Sequence, residues 1–181
     1  PEDYYFKTGR MTQKEVENNS YFTPIKGGKK LKSSIYLSLG YIASKNNQQK
    51  LAELFYKKSI DADRSFAEGY SNLASVYSLM GSFRQSKIYM KTSLAINPHH
   101  IPSLLNSAIL SWKEKDESKA FKLLKKAQEI NPYKAMIYFT RAKFLKEQKK
   151  ASKEMTNIMT GLLIAPGNCK GYQRLLELKK T

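Results

Sequence analysis

Apolar and polar positions along most of this chain recur with a long period. Three apolar stretches end in the same punctuation: Ile96-Asn97-Pro98, Ile130-Asn131-Pro132 and Ile164-Ala165-Pro166, with the prolines 34 residues apart. A repeat of this size decides the fold before any local motif does. Counted from Ser33, Ala67, Ile101 and Ala135, the fourth position reads Tyr36, Tyr70, Leu104, Tyr138. The eighth reads Gly40, Ala74, Ala108, Ala142, and the twenty-seventh Ser59, Ser93, Ala127, Gly161, all small. The twenty-fourth reads Tyr56, Met90, Leu124, Ile158, all large. Helices approach closely at the small positions and interlock at the large ones. Each unit splits into two apolar-periodic stretches around a short break, which predicts a helix hairpin. First helices are expected at 33–46, 67–80, 101–114 and 135–148, and second helices at 50–63, 84–97, 116–131 and 152–165. Gly81 suits the end of a first helix, where positive φ is wanted. Each proline ends a second helix by pushing the residue before it out of the α region.

A solitary helix is expected at 169–180. Its eighth position is Leu176, where the units carry Gly or Ala, as suits a helix with no second helix to follow. Its lysines Lys179 and Lys180 would face water, as a capping element needs. Residues 1–32 precede the repeats. Thr12 to Glu15 form a capping-box pattern, and Tyr5 and Gly9 mimic the end of a repeat's first helix. The stretch "PIKGGKKLKSS", residues 24–34, reads as a flexible basic connector. Its "GGKK" lacks the spacing and the preceding strand of a phosphate loop.

The pattern resembles the tetratricopeptide repeat. Unit two carries Tyr70, Leu73, Ala74, Tyr77, Gly81 and Pro98, and unit three Ala108, Ala120, Ala127 and Pro132. Units one and four depart from it. Arg64 stands where the first proline would be, and Arg141 and Glu154 occupy positions that are usually Leu and Ala. The resemblance implies an all-α fold, an α-solenoid of about four helix hairpins (33–66, 67–100, 101–134 and 135–168) with a C-terminal capping helix at 169–181.

Composition narrows the partners. The net charge is +17, with 32 Lys and Arg against 15 Asp and Glu. Such an excess suits nucleic acid, anionic lipid or an acidic protein. Only five of the basic residues are Arg, the residue that leads base-specific contacts. Lysines on the second helices, among them Lys57, Lys122, Lys125 and Lys126, read as a solvated outer face. One cysteine, Cys169, excludes an internal disulfide. No apolar run approaches the ~20 residues of a membrane helix. The chain begins at Pro1 rather than Met, as expected of a mature or trimmed form.

In the resembled family, positions 2, 5, 6, 9, 12 and 13 of the first helices line a concave groove. Carried over residue by residue, the groove would present Leu37, Tyr41, Asn72, Leu105, Asn106, Ile109, Met136 and Phe139, rimmed by Lys143 and Lys146. Trp112 sits one place after the usual aromatic position; it is either a core residue displaced by one place or, on the preferred reading, a groove anchor. Leu37 and Tyr41 replace the Lys and Asn needed to clamp a chaperone's C-terminal carboxylate, and Pro102 and Asn106 replace two basic residues. That activity is therefore not expected. An apolar floor with a lysine rim suits a peptide or amphipathic helix of acidic and apolar character.

Catalysis finds no support. His99 and His100 are adjacent, follow a helix-ending proline and have no third histidine, so they read as turn residues rather than metal ligands. Glu68 and Glu147 lie two units apart. No metal and no cofactor are expected. The expected function is a non-enzymatic protein–protein interaction scaffold. The alternative is an electrostatic module for RNA or an anionic membrane surface. The aromatic-rich first segment (Tyr4, Tyr5, Phe6, Tyr21, Phe22) is a further candidate to occupy the groove.

Overall fold

The computed structural model describes residues 28–179. Among them lie nine helices and no strand: α1 (Lys29–Lys45), α2 (Gln49–Ala62), α3 (Ala67–Leu79), α4 (Phe83–Ile96), α5 (Ile101–Lys113), α6 (Glu117–Ile130), α7 (Ala135–Glu147), α8 (Ala151–Ile164) and α9 (Cys169–Leu178). The fold is all-α, a run of four helix hairpins and a last single helix, of the α-solenoid class. The chain divides into two compact units, Pro1–Asn97 and Pro98–Thr181. The first holds hairpins α1–α2 and α3–α4. The second holds α5–α6, α7–α8 and α9.

Helix limits follow the sequence expectation closely except at α1. That helix begins at Lys29, so residues 29–32 are helical rather than part of a connector. Lys29, Lys30, Leu31 and Lys32 are good helix formers, and the break falls before them, at Gly28, whose backbone is extended. The capping box at Thr12, the first-helix mimic at Tyr5 and Gly9 and the aromatic segment lie outside the described residues.

All four hairpin turns are built alike. The residue at position 15 of each repeat has positive φ: Asn47 at 59°, Gly81 at 78°, Lys115 at 65° and Lys149 at 57°. Its N–H reaches back three residues. The next N–H reaches back five: Gln48 to Ala43 O (2.9 Å), Ser82 to Tyr77 O (2.8 Å), Asp116 to Ser111 O (2.9 Å) and Lys150 to Leu145 O (3.0 Å). This is the Schellman closure of a helix end. Only repeat two meets it with glycine; the two lysines adopt a conformation that L side chains resist. Lys115→Gly and Lys149→Gly should therefore each stabilise the fold by about 0.5–1 kcal/mol, and Gly81→Ala should cost about 1 kcal/mol. Urea titration checks this, and unchanged midpoints for the lysine variants would count against the left-handed turns.

The second helices also end alike. Asp63, Asn97, Asn131 and Ala165 leave the helix with φ between −147° and −133°. Proline follows in three of the four. In repeat one Arg64 follows instead, and the Asp63 side chain closes the turn, as Asn131 does for Tyr133 N in repeat three. Asp63 Oδ1 accepts from Ser65 N (2.9 Å) and Ser65 Oγ (2.6 Å). Such an Asx turn fixes the chain locally.

In unit one, α1 packs on α2 and α3 around Ala43, Ala52, Phe55, Tyr56, Leu73 and Val76. The small eighth position is needed. A Cβ at Gly40 would stand 2.6 Å from the buried Tyr56 ring. The Ser59 hydroxyl donates to Ser33 O (2.9 Å), and the Ser93 hydroxyl to Ala67 O (2.7 Å), joining the two helices of each hairpin. Glu53 of α2 accepts from Tyr77 of α3 (2.9 Å) and from Lys57 (2.8 Å). Burial alone would raise the Glu53 pKa, but hydrogen bonds from Lys57 and Tyr77 and the charges of Lys57 and Lys50 bring it below the usual value. A carboxylate depressed on folding stabilises above its unfolded pKa, and the gain is lost as pH falls through the folded one.

In unit two, Leu104, Ala108, Leu124, Ile137 and Phe144 are fully or nearly fully buried. The α9 helix packs on α8, with Leu178 against Ala142, Ile158 and Leu162. The two departures of repeat four find partners here. Glu154, 3% exposed, receives Arg174 of α9 through Nε (2.6 Å) and Nη2 (3.1 Å). Arg141 donates to Gln128 Oε1 (2.8 Å) and lies 5.9 Å from the Tyr138 ring centre. Leu176 is exposed, in keeping with the solitary position of α9.

Candidate partner-binding site

The groove residues fall in both units, and each unit presents its own face. In unit one, Leu37 of α1 is half-buried against the core. Tyr41, one turn on, is 55% exposed, and the Lys45 Nζ lies 5.3 Å from its ring centre. This cation–π contact leaves the ring open to solvent. The Tyr56 hydroxyl nearby is pushed up to about 12, first by burial and then by Tyr41. Asn72 of α3 is half-buried, and Leu79 in the last turn is 68% exposed.

In unit two, Met136 of α7 is 56% exposed, and Lys143 and Lys146 on the same helix are exposed. Asn106 and Ile109 of α5 are half-buried. Two expected groove residues are not open. Leu105 is buried, and so is Trp112. The Trp112 ring stacks on Phe144 at 4.3 Å and meets Phe121 edge-on at 5.9 Å. Its indole N–H donates to Glu147 of α7. The anchor reading is thus corrected: α5, α6 and α7 use the indole among themselves. Aromatic neighbours 9 and 32 residues away in sequence supplied no local signal of this. Phe139 is half-buried and packs where Gly161 of α8 leaves room; a Cβ there would stand 2.7 Å from its ring. Its first duty is to seat α7 on α8.

The second-helix lysines Lys57, Lys122, Lys125 and Lys126 are exposed, as expected of an outer face. His99 lies in a turn and is exposed, while His100 Nδ1 sits 2.7 Å from Ser103 Oγ at the start of α5.

The sequence did not suggest a cavity of about 400 Å³ in unit two. Phe121 of α6, Arg141 and Leu145 of α7, Gln148 beyond it, and Lys150 and Lys153 at the start of α8 lie on its wall. Burial holds the Arg141 pKa below its ordinary value, with Tyr138 opposing. The available hint was Arg141 itself, a charge at an apolar repeat position.

Residues 33–66 and 67–100 each match the family model of the tetratricopeptide repeat. No curated protein matches the sequence. Among solved structures the chain is similar to PilF of Pseudomonas aeruginosa, at 16% identity and a TM-score of 0.73, covering 84% of this chain and 69% of that one. It is also similar to MamA of Desulfovibrio magneticus RS-1, at 14% identity and a TM-score of 0.60, covering 81% of this chain and 83% of that one. A third is YrrB, at 17% identity and a TM-score of 0.54, covering 94% of this chain and 82% of that one. At these identities the likeness is one of fold. Two repeats match the tetratricopeptide-repeat model, and the two hairpins that follow them have the same turns and the same register of small and large residues.

Proposed function

We propose that the chain is a non-enzymatic scaffold whose first-helix faces hold a peptide or amphipathic helix of a partner protein. Proteins of this fold are generally non-enzymatic scaffolds that bind other proteins or peptides. The observation that carries the reading is apolar surface left open on first helices beside lysines: Tyr41 near Lys45 in unit one, and Met136 on the helix of Lys143 and Lys146 in unit two. Core-facing residues of the same helices are covered, so these side chains are not needed for packing. Exposed aromatic and methionine side chains are the usual anchors of such contacts. YrrB is described as a tetratricopeptide-repeat protein with an unusual peptide-binding site, which supports a peptide ligand by analogy of fold. The partner expected is acidic and apolar.

The test compares two variants in capture from native extract, read by quantitative mass spectrometry across a salt series. Changing Tyr41, Leu79 and Met136 to Ser should reduce capture at least about tenfold while leaving helicity intact. Capture by the unaltered chain should depend weakly on salt, because apolar burial is not screened. Changing Lys122, Lys125 and Lys126 to Glu should mainly slow association. If those reversals eliminate capture and the apolar triple leaves it intact, the lysine surface is the site. The RNA or anionic-membrane reading then replaces this one.

A further inference from the structure

We propose that the cavity of unit two is a receptor for an acidic side chain of a bound peptide, a site separate from the open surfaces around Tyr41 and Met136. Three cationic side chains, Arg141, Lys150 and Lys153, share its wall, and no carboxylate lines it. None of the three is paired with a carboxylate among the described residues. Glu117 of α6 is engaged by the Gln148 amide N–H. Arg141 is the decisive group. It is half-buried and held in place by Gln128 and the Tyr138 ring, yet one donor suffices for Gln128. The remaining guanidinium N–H groups form the planar fork that matches a carboxylate. A desolvated cation with no counter-charge of its own is costly unless a ligand supplies one. The start of α8 adds to the field. Lys150 stands at its N-cap, where no side chain caps the first N–H groups.

A second observation says which anion fits. Gln148 Oε1 is buried and accepts no hydrogen bond. It needs a donor. A lone oxyanion such as sulfate brings acceptors only, whereas a peptide brings a backbone N–H beside its carboxylate. Phe121 and Leu145 offer apolar contact for the methylenes of an acidic side chain or for a neighbouring apolar residue. The volume, about 400 Å³, lies in the range of small-ligand pockets.

The experiment titrates the full chain with an acetylated, amidated leucyl-glutamyl-glutamyl-leucine peptide. Its glutamine counterpart and inorganic phosphate serve as comparisons. Backbone amide shifts of Arg141, Gln148 and Lys150 report the cavity. Trp112 emission gives a second readout, because Phe121 touches both the indole and the cavity. The acidic peptide should shift these amides saturably, and the glutamine peptide should bind at least about tenfold more weakly. Arg141→Gln should weaken the acidic peptide about tenfold, and Lys150→Ala and Lys153→Ala about threefold each. Both lysines are exposed, so those two variants test the site even if Arg141→Gln loosens the unit. Equal binding of the glutamine peptide would overturn the proposal. So would equal shifts from phosphate alone, or shifts confined to the amides around Tyr41 and Met136.

Discussion

Phe144→Ala should destabilise the chain by about 3–5 kcal/mol, the usual cost of removing a buried aromatic ring. Phe144 is 1% exposed and stacks on Trp112, with Phe121 edge-on to both rings. Its loss opens a hole that neither neighbour fills without leaving its own contacts. The tryptophan reports the change directly, since Trp112 is the only one in the chain. Its emission should move to the red as water reaches the indole, and the urea midpoint should fall. Tyr133→Ala is the control: Tyr133 is 79% exposed and should cost little. A Phe144→Ala cost below about 1 kcal/mol would remove the aromatic cluster from the core and restore Trp112 as a candidate anchor.

Arg174→Met should cost about 3 kcal/mol, chiefly because it strands Glu154. That carboxylate has 4% of its side chain exposed and takes both of its bonds to another element from Arg174. The cost should be mostly reversible. Adding Glu154→Gln to Arg174→Met should recover much of the stability, because a neutral amide needs no counter-charge. Equilibrium unfolding of the two single variants and the double variant gives the coupling directly. A neutral Arg174→Met, or a double variant no better than the single, would show that α9 is held by Leu178 and its apolar neighbours alone.

The repeat register was legible because it rests on size. A residue at position 8 or 27 must be small where helices touch, and Gly40, Ala108 and Ser59 are buried at those places. Proline punctuation placed the ends of second helices for a similarly local reason. The hairpin turns were less legible. Gly81 announced its left-handed backbone, but Asn47, Lys115 and Lys149 adopt the same conformation without glycine, because the closure of the turn imposes it.

The candidate site was harder still. Position in a repeat tells which way a side chain starts, not how much of it the neighbours cover. Tyr41 and Met136 stay open, whereas Leu105 and Trp112, on the same kind of helix, are closed over. For Trp112 the difference lies in Phe121, Phe144 and Glu147, contributed by other helices. The same holds for Arg141 and Glu154. In sequence both look like departures from the pattern. In space each is answered from elsewhere, one by Gln128 and the other by Arg174.

The Glu154–Arg174 pair also limits how an array like this can change length. Position 20 of the four repeats reads Ala52, Ser86, Ala120 and Glu154. Only the last presents a charge that Arg174 can meet. The α9 helix is therefore matched to one hairpin and mismatched to the other three. A copy of repeat one, two or three inserted directly before α9 would leave the arginine facing alanine or serine and would expose its former glutamate to a new neighbour. A copy of repeat four would carry its own glutamate and accept the helix. For gene duplication, or for a designer, the place in front of α9 is reserved for a hairpin that brings a carboxylate.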